Sequence, residues 1–166
     1  MSNVRLEKVS YKNIEAILDM QVTEVQKNYV ASNRWSIIEA YLTLSEGRPV
    51  FPFVIYAGDM PVGFLMIGYD YHDEDEEAEI PDFVKNNYLL WRLMIDKEHQ
   101  NKGYGKEAVR LALEFIRTFP CGKADLCWLS YEPENEVARK LYASFGFIER
   151  QECPKGWDEI PAVLKL

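Results

Sequence analysis

The apolar positions of this chain switch between alternation and helical spacing in an order that lays out its elements. Residues 4–9 alternate weakly and predict a first strand. From Asn13, residues Ile14, Ile17, Leu18, Gln21, Val22 and Val25 follow at spacings of three and four, which predicts a helix. Ser36 reads as the N-cap of a second helix carrying Ile37, Ile38, Tyr41, Leu42 and Leu44 and closed by Gly47 and Pro49. Residues 53–57 and 62–69 are β-rich, and Gly58, Asp59, Met60 and Pro61 join them into a hairpin. Residues 71–82 are too charged to pack and predict an exposed loop.

Residues 88–95 are nearly continuous in apolar side chains, as a central strand covered on both faces should be. A long amphipathic helix is expected over 106–119, with Ala108, Leu111, Ala112, Phe115, Ile116 and Phe119 as its core stripe and Pro120 and Gly122 as its stop. Residues 124–131 predict another strand. A helix then starts at Asn135, with Ala138, Leu141, Tyr142 and Phe145 on one face and Gly146 at its end. Residues 148–152 and 160–166 are the last two strands, separated by a loop holding Cys153, Pro154, Gly156 and Trp157. No internal repeat or linker interrupts this series, so one α+β domain over residues 1–166, of order β-α-α-β-β-β-α-β-α-β-β, is expected.

Composition narrows the function classes. With 166 residues, 48% of them apolar and 28% charged, the chain is sized for one self-sufficient core. There is no apolar h-region near the N-terminus and no run long enough to span a bilayer, so a cytoplasmic location is expected. Cys121, Cys127 and Cys153 lack metal-ligand or disulfide spacing, so no metal is expected. His72 and His99 fall in polar loops and read as surface residues. A net charge of -8 argues against nucleic acid and favours a cationic partner.

The chemistry concentrates in Gln100, Asn101, Lys102, Gly103, Tyr104 and Gly105, between the central strand and the long helix. Glycines a residue apart allow positive φ, so backbone N–H groups can turn onto an anion while the helix aims its positive end at the same point. A P-loop does not fit, because Gly105-Lys106 is followed by Glu107 instead of Ser or Thr. Gly103, Gly105 and Ala108 match a dinucleotide fingerprint, yet polar residues 96–102 separate them from the strand, and Asp125 opens the next strand instead of closing it.

On the strand residues Leu93, Met94 and Ile95, the loop Gln100-x-x-Gly103-x-Gly105, and Asn135, Ala138, Leu141, Tyr142, Phe145, Gly146 and Phe147, the chain resembles the GNAT family of acyl-CoA-dependent N-acetyltransferases. The resemblance covers nearly the whole chain. It implies a mixed, mostly antiparallel twisted sheet with a splayed central strand pair and helices on both faces, and acetyl-CoA as co-substrate. By the same resemblance, backbone amides of Asn101, Lys102, Gly103, Tyr104, Gly105 and Lys106, with Gln100, would hold the pyrophosphate of coenzyme A. Leu93, Met94 and Ile95 would pair with its pantetheine arm, and Asn135 would steady that arm or act only as a helix cap. Tyr142 would protonate the leaving thiolate, or be only a core aromatic.

The family's strand carboxylate is missing here: residues 88–95 carry only Arg92 as a charge, so the general base stays open. Glu24, Asp70 and Asp82 are the candidates, and no motif carries any of them. Residues 88–96 with 100–106 also resemble bacterial spermine and spermidine acetyltransferases, which implies a polyamine acceptor, an acidic rim within residues 70–82, and Trp91 as acceptor-side wall or core residue. Another amine, such as an aminoglycoside or a protein amino group, and a non-catalytic acyl-CoA-binding regulatory module are the alternatives. The expected partners are a small cationic amine and a second copy in a homodimer, with neither nucleic acid nor membrane. Cys127 has no base near it in sequence, so direct transfer without an acetyl-enzyme is expected.

Overall fold

A computed structural model describes residues 3–71, 80–151 and 156–166. Its sheet is built around the apolar run Tyr88–Ile95 (β4), whose two neighbours differ in direction. On one side lie Val4–Lys8 (β1), Val50–Ala57 (β2) and Met60–Tyr69 (β3), each antiparallel to the next. On the other lie Leu126–Tyr131 (β5), Ile160–Lys165 (β7) and Ile148–Glu149 (β6), giving the order β1-β2-β3-β4-β5-β7-β6 with β4 and β5 parallel.

Side chains alternate across the sheet, so each strand feeds two cores. On β3, Leu65 and Ile67 enter one core, which is shared with Ala108, Val109, Ala112, Leu113 and Ile116 of helix Tyr104–Ile116 (α3) and with Tyr142 of Glu136–Ala143 (α4). Phe64 and Met66 enter the opposite core with Ile17 of Ile14–Leu18 (α1) and Ala40 of Asn33–Ser45 (α2). At Gly63 a Cβ would lie 2.4 Å from the Met94 carbonyl oxygen, so glycine is required for β3 to approach β4. No helix among the described residues is long and apolar enough to cross a membrane.

The element order read from the sequence is the one observed, but several boundaries move. The first helix stops at Leu18; a 3-10 turn at Glu24–Asn28 follows, with Val25 74% exposed. Ser36 is not a cap. Ser32 is the N-cap of α2, its oxygen accepting from the Trp35 N–H at 3.2 Å, while Ser36 lies buried under the helix. α3 begins at Tyr104 rather than 106, which puts Tyr104 and Gly105 in its first turn. The acidic residues 73–79, His72 and Cys153 lie outside the described residues, so the expected acidic rim is represented only by its flanks.

Candidate active site

β4 and β5 are joined at one end only. Tyr88 pairs with Cys127 and Leu89 with Trp128, and the Asn87 side-chain oxygen accepts from the Leu126 N–H at 2.9 Å. Beyond Leu89 the ladder stops although both strands continue, so the β4 backbone keeps unpaired groups along its β5 side. A bulge adds a second irregularity. Met66 pairs with Arg92 and Ile67 with Leu90, leaving Trp91 as an extra residue on β4. The bulge turns Trp91 and Arg92 to the same face, where the Arg92 guanidinium lies 5.3 Å from the Trp91 ring and 2.9 Å from Glu39 of α2.

Two clefts open at this splay. The first, of about 310 Å³, is lined by Leu93, Met94, Ile95, Gln100, Asn101, Gly103, Tyr104, Gly105, Lys106, Asn135 and Tyr142, together with Gln26, Leu141 and His99. Lys102 is not among its lining residues; its ammonium turns back to the Glu98 carbonyl at 3.1 Å. Gly103 has φ +82° and caps α3, and its Cβ would meet only open space, so backbone conformation and not crowding inside the protein calls for glycine. The first intrahelical bond runs from Glu107 N–H to Gly103 O, which leaves the preceding first-turn amides free for an anion. Gln100 anchors the loop, donating to Ile95 O at 3.0 Å and to the Gln26 side chain at 2.8 Å. Asn135 caps α4 through its oxygen, which accepts from Ala138 N–H at 3.2 Å. Unpaired strand edge, free helix-terminal amides and an open glycine cradle fit the pantetheine and pyrophosphate of a coenzyme A thioester.

The second cleft, of about 580 Å³, lies on the other side of the splay. Trp91 lines it, as do Tyr71, Trp128, Tyr131, Trp157, Asp158 and Glu159. Tyr71 stacks on Trp91 with centroids 4.0 Å apart, and Trp128 on Trp157 at 5.9 Å. Because Tyr131 pairs with Ile160, the residues just before β7 are brought to the open end of β5, and Glu159 accepts a hydrogen bond from the Ser130 hydroxyl. Neighbouring carboxylates reinforce each other here: partial burial and then Glu159, Glu134 and Asp158 raise the Glu132 carboxyl above its ordinary range.

Both clefts share Tyr29, Val30, Leu93, Ala138 and Tyr142. Tyr142 is 8% exposed, stacked on Tyr131 at 6.0 Å and edge-on to Phe147 at 5.8 Å. Its hydroxyl has no hydrogen-bond partner among the described residues. Burial, then the charges of Cys127, Tyr131 and Glu159, push its pKa well above that of an ordinary phenol, so it holds its proton. Burial likewise pushes the Cys127 thiol up to about 12.

Glu24, Asp70 and Asp82 line neither cleft. Glu24 is ion-paired with Lys27 at 2.6 Å in solvent, Asp70 accepts from the Asn86 N–H at 2.8 Å, and Asp82 is exposed in a turn. Among the described residues the carboxylates at the second cleft are instead Asp158 and Glu159, which stand in a loop with no motif of their own. His99, read as a surface residue, is partly buried at the first cleft.

Comparison with known proteins agrees with this geometry. The profile of the acetyltransferase (GNAT) family matches residues 14–147. A probable spermine N(1)-acetyltransferase of Bacillus subtilis subsp. natto is 30% identical over 149 residues, 87% of this chain and 88% of that protein. Two solved structures share the fold at lower identity. The spermidine N-acetyltransferase of Vibrio cholerae with CoA and spermine has a TM-score of 0.66 and 16% identity, covering 98% of this chain and 95% of that one. An aminoglycoside acetyltransferase with coenzyme A and kanamycin has a TM-score of 0.71 and 17% identity at the same coverages. With a splayed strand pair, a glycine-capped helix and a family profile that spans most of its length, the chain belongs to the acetyltransferase (GNAT) family and is an acetyl-CoA-dependent N-acetyltransferase.

Proposed function

We propose that this enzyme acetylates a primary amine of a small polycation, a polyamine such as spermine or spermidine, by direct transfer in a ternary complex. The observation that carries the reading is that two clefts of different chemistry meet at Leu93 and Tyr142: one is walled by free backbone amides, the other by aromatic rings and carboxylates. The relative named as a probable spermine acetyltransferase supports the choice of acceptor.

In the first cleft the amides of residues 103–106 hold the pyrophosphate and the unpaired edge of β4 holds the arm, with Asn135 beside it. When bound, acetyl-CoA supplies an activated acyl thioester. In the second cleft the aromatic walls of Trp91, Tyr71 and Trp157 receive the acceptor's methylene chain, and Asp158 and Glu159 offset the charge of its ammonium groups. Glu39 neutralises Arg92, so that guanidinium does not repel the acceptor. An acceptor ammonium must lose one proton to become a nucleophile, and the carboxylate-lined, solvent-open cleft takes it up. As the N–C bond forms and the C–S bond breaks, Tyr142 gives its proton to the thiolate and is reprotonated by the second proton that the amine sheds. Cys127, buried and held protonated, takes no part.

The test is acetyl-CoA turnover, read as free thiol, against spermine, spermidine, simple diamines, an aminoglycoside and a lysine peptide at low and moderate salt. Polyamines should give the highest kcat/KM, weakening as salt rises. Preference for the aminoglycoside or peptide would overturn the acceptor, and acetyl-CoA binding without turnover of any amine would favour a regulatory module.

A further inference from the structure

α2 carries most of its large apolar residues on the side away from the sheet. Its buried positions are Asn33, Ser36, Ala40 and Thr43, all small or polar, and the Ser36 hydroxyl has no partner there. Ile37 packs against the core, but the other large apolar residues face solvent: Trp35 at 52% exposure, Ile38 at 48%, Tyr41 at 71%, Leu42 at 49% and Leu44 at 54%. Small side chains let the helix lie close on the sheet, where Val54, Phe64 and Met66 supply the bulk of that core. Nothing in that packing calls for the outer stripe.

We propose that this outer face of α2 is where a second copy of the chain docks. Spacings of three and four make Trp35, Ile38, Tyr41, Leu42 and Leu44 neighbours on one side of the helix. Half-exposed side chains of this size present on the order of 500 Å² of apolar surface per copy, within the range of the largest apolar patch of a monomer, which is often a functional one. Two such stripes meeting across a two-fold axis bury about 1,000 Å² from these residues alone, the lower bound for a specific interface, to which the flanking surface adds. Charge allows the contact. Two chains of net charge -8 repel, so they must meet where no unpaired charge stands, and the only charged residues of α2 are already paired, Arg34 with Asp19 and Glu39 with Arg92.

The experiment is sedimentation of the full chain from about 1 to about 100 µM, for the natural sequence and for Tyr41→Glu, Leu42→Lys and Ile148→Glu. Ile148 is a second exposed apolar residue, far from α2 on β6, and serves as control. The natural chain and Ile148→Glu should sediment as dimers, and the two α2 variants as folded monomers with a dissociation constant at least about a hundredfold weaker. Circular dichroism and acetyl-CoA binding report folding, and having two α2 variants guards against the failure of either. A monomeric natural chain, or a dimer that survives both α2 variants, overturns the proposal. So does recovery of the natural chain only with a different protein on this face. None of these outcomes depends on which amine is acetylated.

Discussion

The two clefts differ in how they are assembled, and the difference decides how each can be perturbed. The cofactor cleft draws most of its wall from two short stretches, Leu93–Lys106 and Asn135–Tyr142, and presents backbone amides. The second cleft, the proposed acceptor site, gathers Tyr29, Tyr71, Trp91, Trp128 and Glu159 from five separate parts of the chain and presents side chains. Changes in the first should act through backbone conformation, and in the second through side-chain charge. A change at the shared wall should act on the chemical step.

The largest effect is expected at that wall. Tyr142→Phe should lower kcat by about a hundredfold or more while leaving both KM values nearly unchanged, as measured by steady-state thiol release. A loss of only a few-fold would make Tyr142 a core aromatic alone. Next is Gly103→Ala, which forces a Cβ into a φ of +82° and into the open cradle. At a cost of about 1–2 kcal/mol for the left-handed conformation, KM for acetyl-CoA should rise about tenfold or more, with KM for the amine unmoved.

Glu159→Gln should do the reverse, raising the amine KM several-fold, flattening its salt dependence and sparing acetyl-CoA. Glu24→Gln and Asp70→Asn should change neither, and an effect from them as large as that of Glu159→Gln would undo the distinction between the clefts.

A smaller effect concerns alkaline stability. Burial raises Tyr131 and Tyr142 above their unfolded values, so folding holds their protons more tightly. Their stabilising contribution is complete below about pH 10, where unfolded phenols ionise, and is lost as pH rises toward the folded values. Denaturant midpoints should therefore fall above that pH, and less steeply in Tyr142→Phe. The smallest change in turnover is expected from Cys127→Ala, since a thiol held near 12 is not a nucleophile at neutral pH. A loss matching that of Tyr142→Phe would replace direct transfer with an acetyl-enzyme.

The uneven assembly also explains what was legible in the sequence. α3 and α2 are both 13 residues long and lie on opposite faces of one sheet. In α3 the apolar stripe, from Ala108 to Ile116, is the buried one, so periodicity located it to within two residues of its start. In α2 the same reasoning found a helix carrying Ile37, Ile38, Tyr41, Leu42 and Leu44 with Ser36 as its cap, whereas Ser36 packs inward and Ile38, Tyr41, Leu42 and Leu44 point out. Periodicity reports that a helix has two faces, but the neighbours it packs on decide which one turns in.

The sequence by itself determined the order of elements and the glycine-capped loop, because turns, caps and helical stripes are set by interactions within a few residues; Tyr142 as candidate acid came from the family resemblance. Tertiary structure decided where the β4–β5 ladder ends, how the Trp91 bulge puts Trp91 and Arg92 on one face, and that Asp158 and Glu159, not Asp70, line the second cleft. Those features depend on which strand pairs with which and in what register, and a hydrogen-bonded ladder joins residues that lie tens of positions apart.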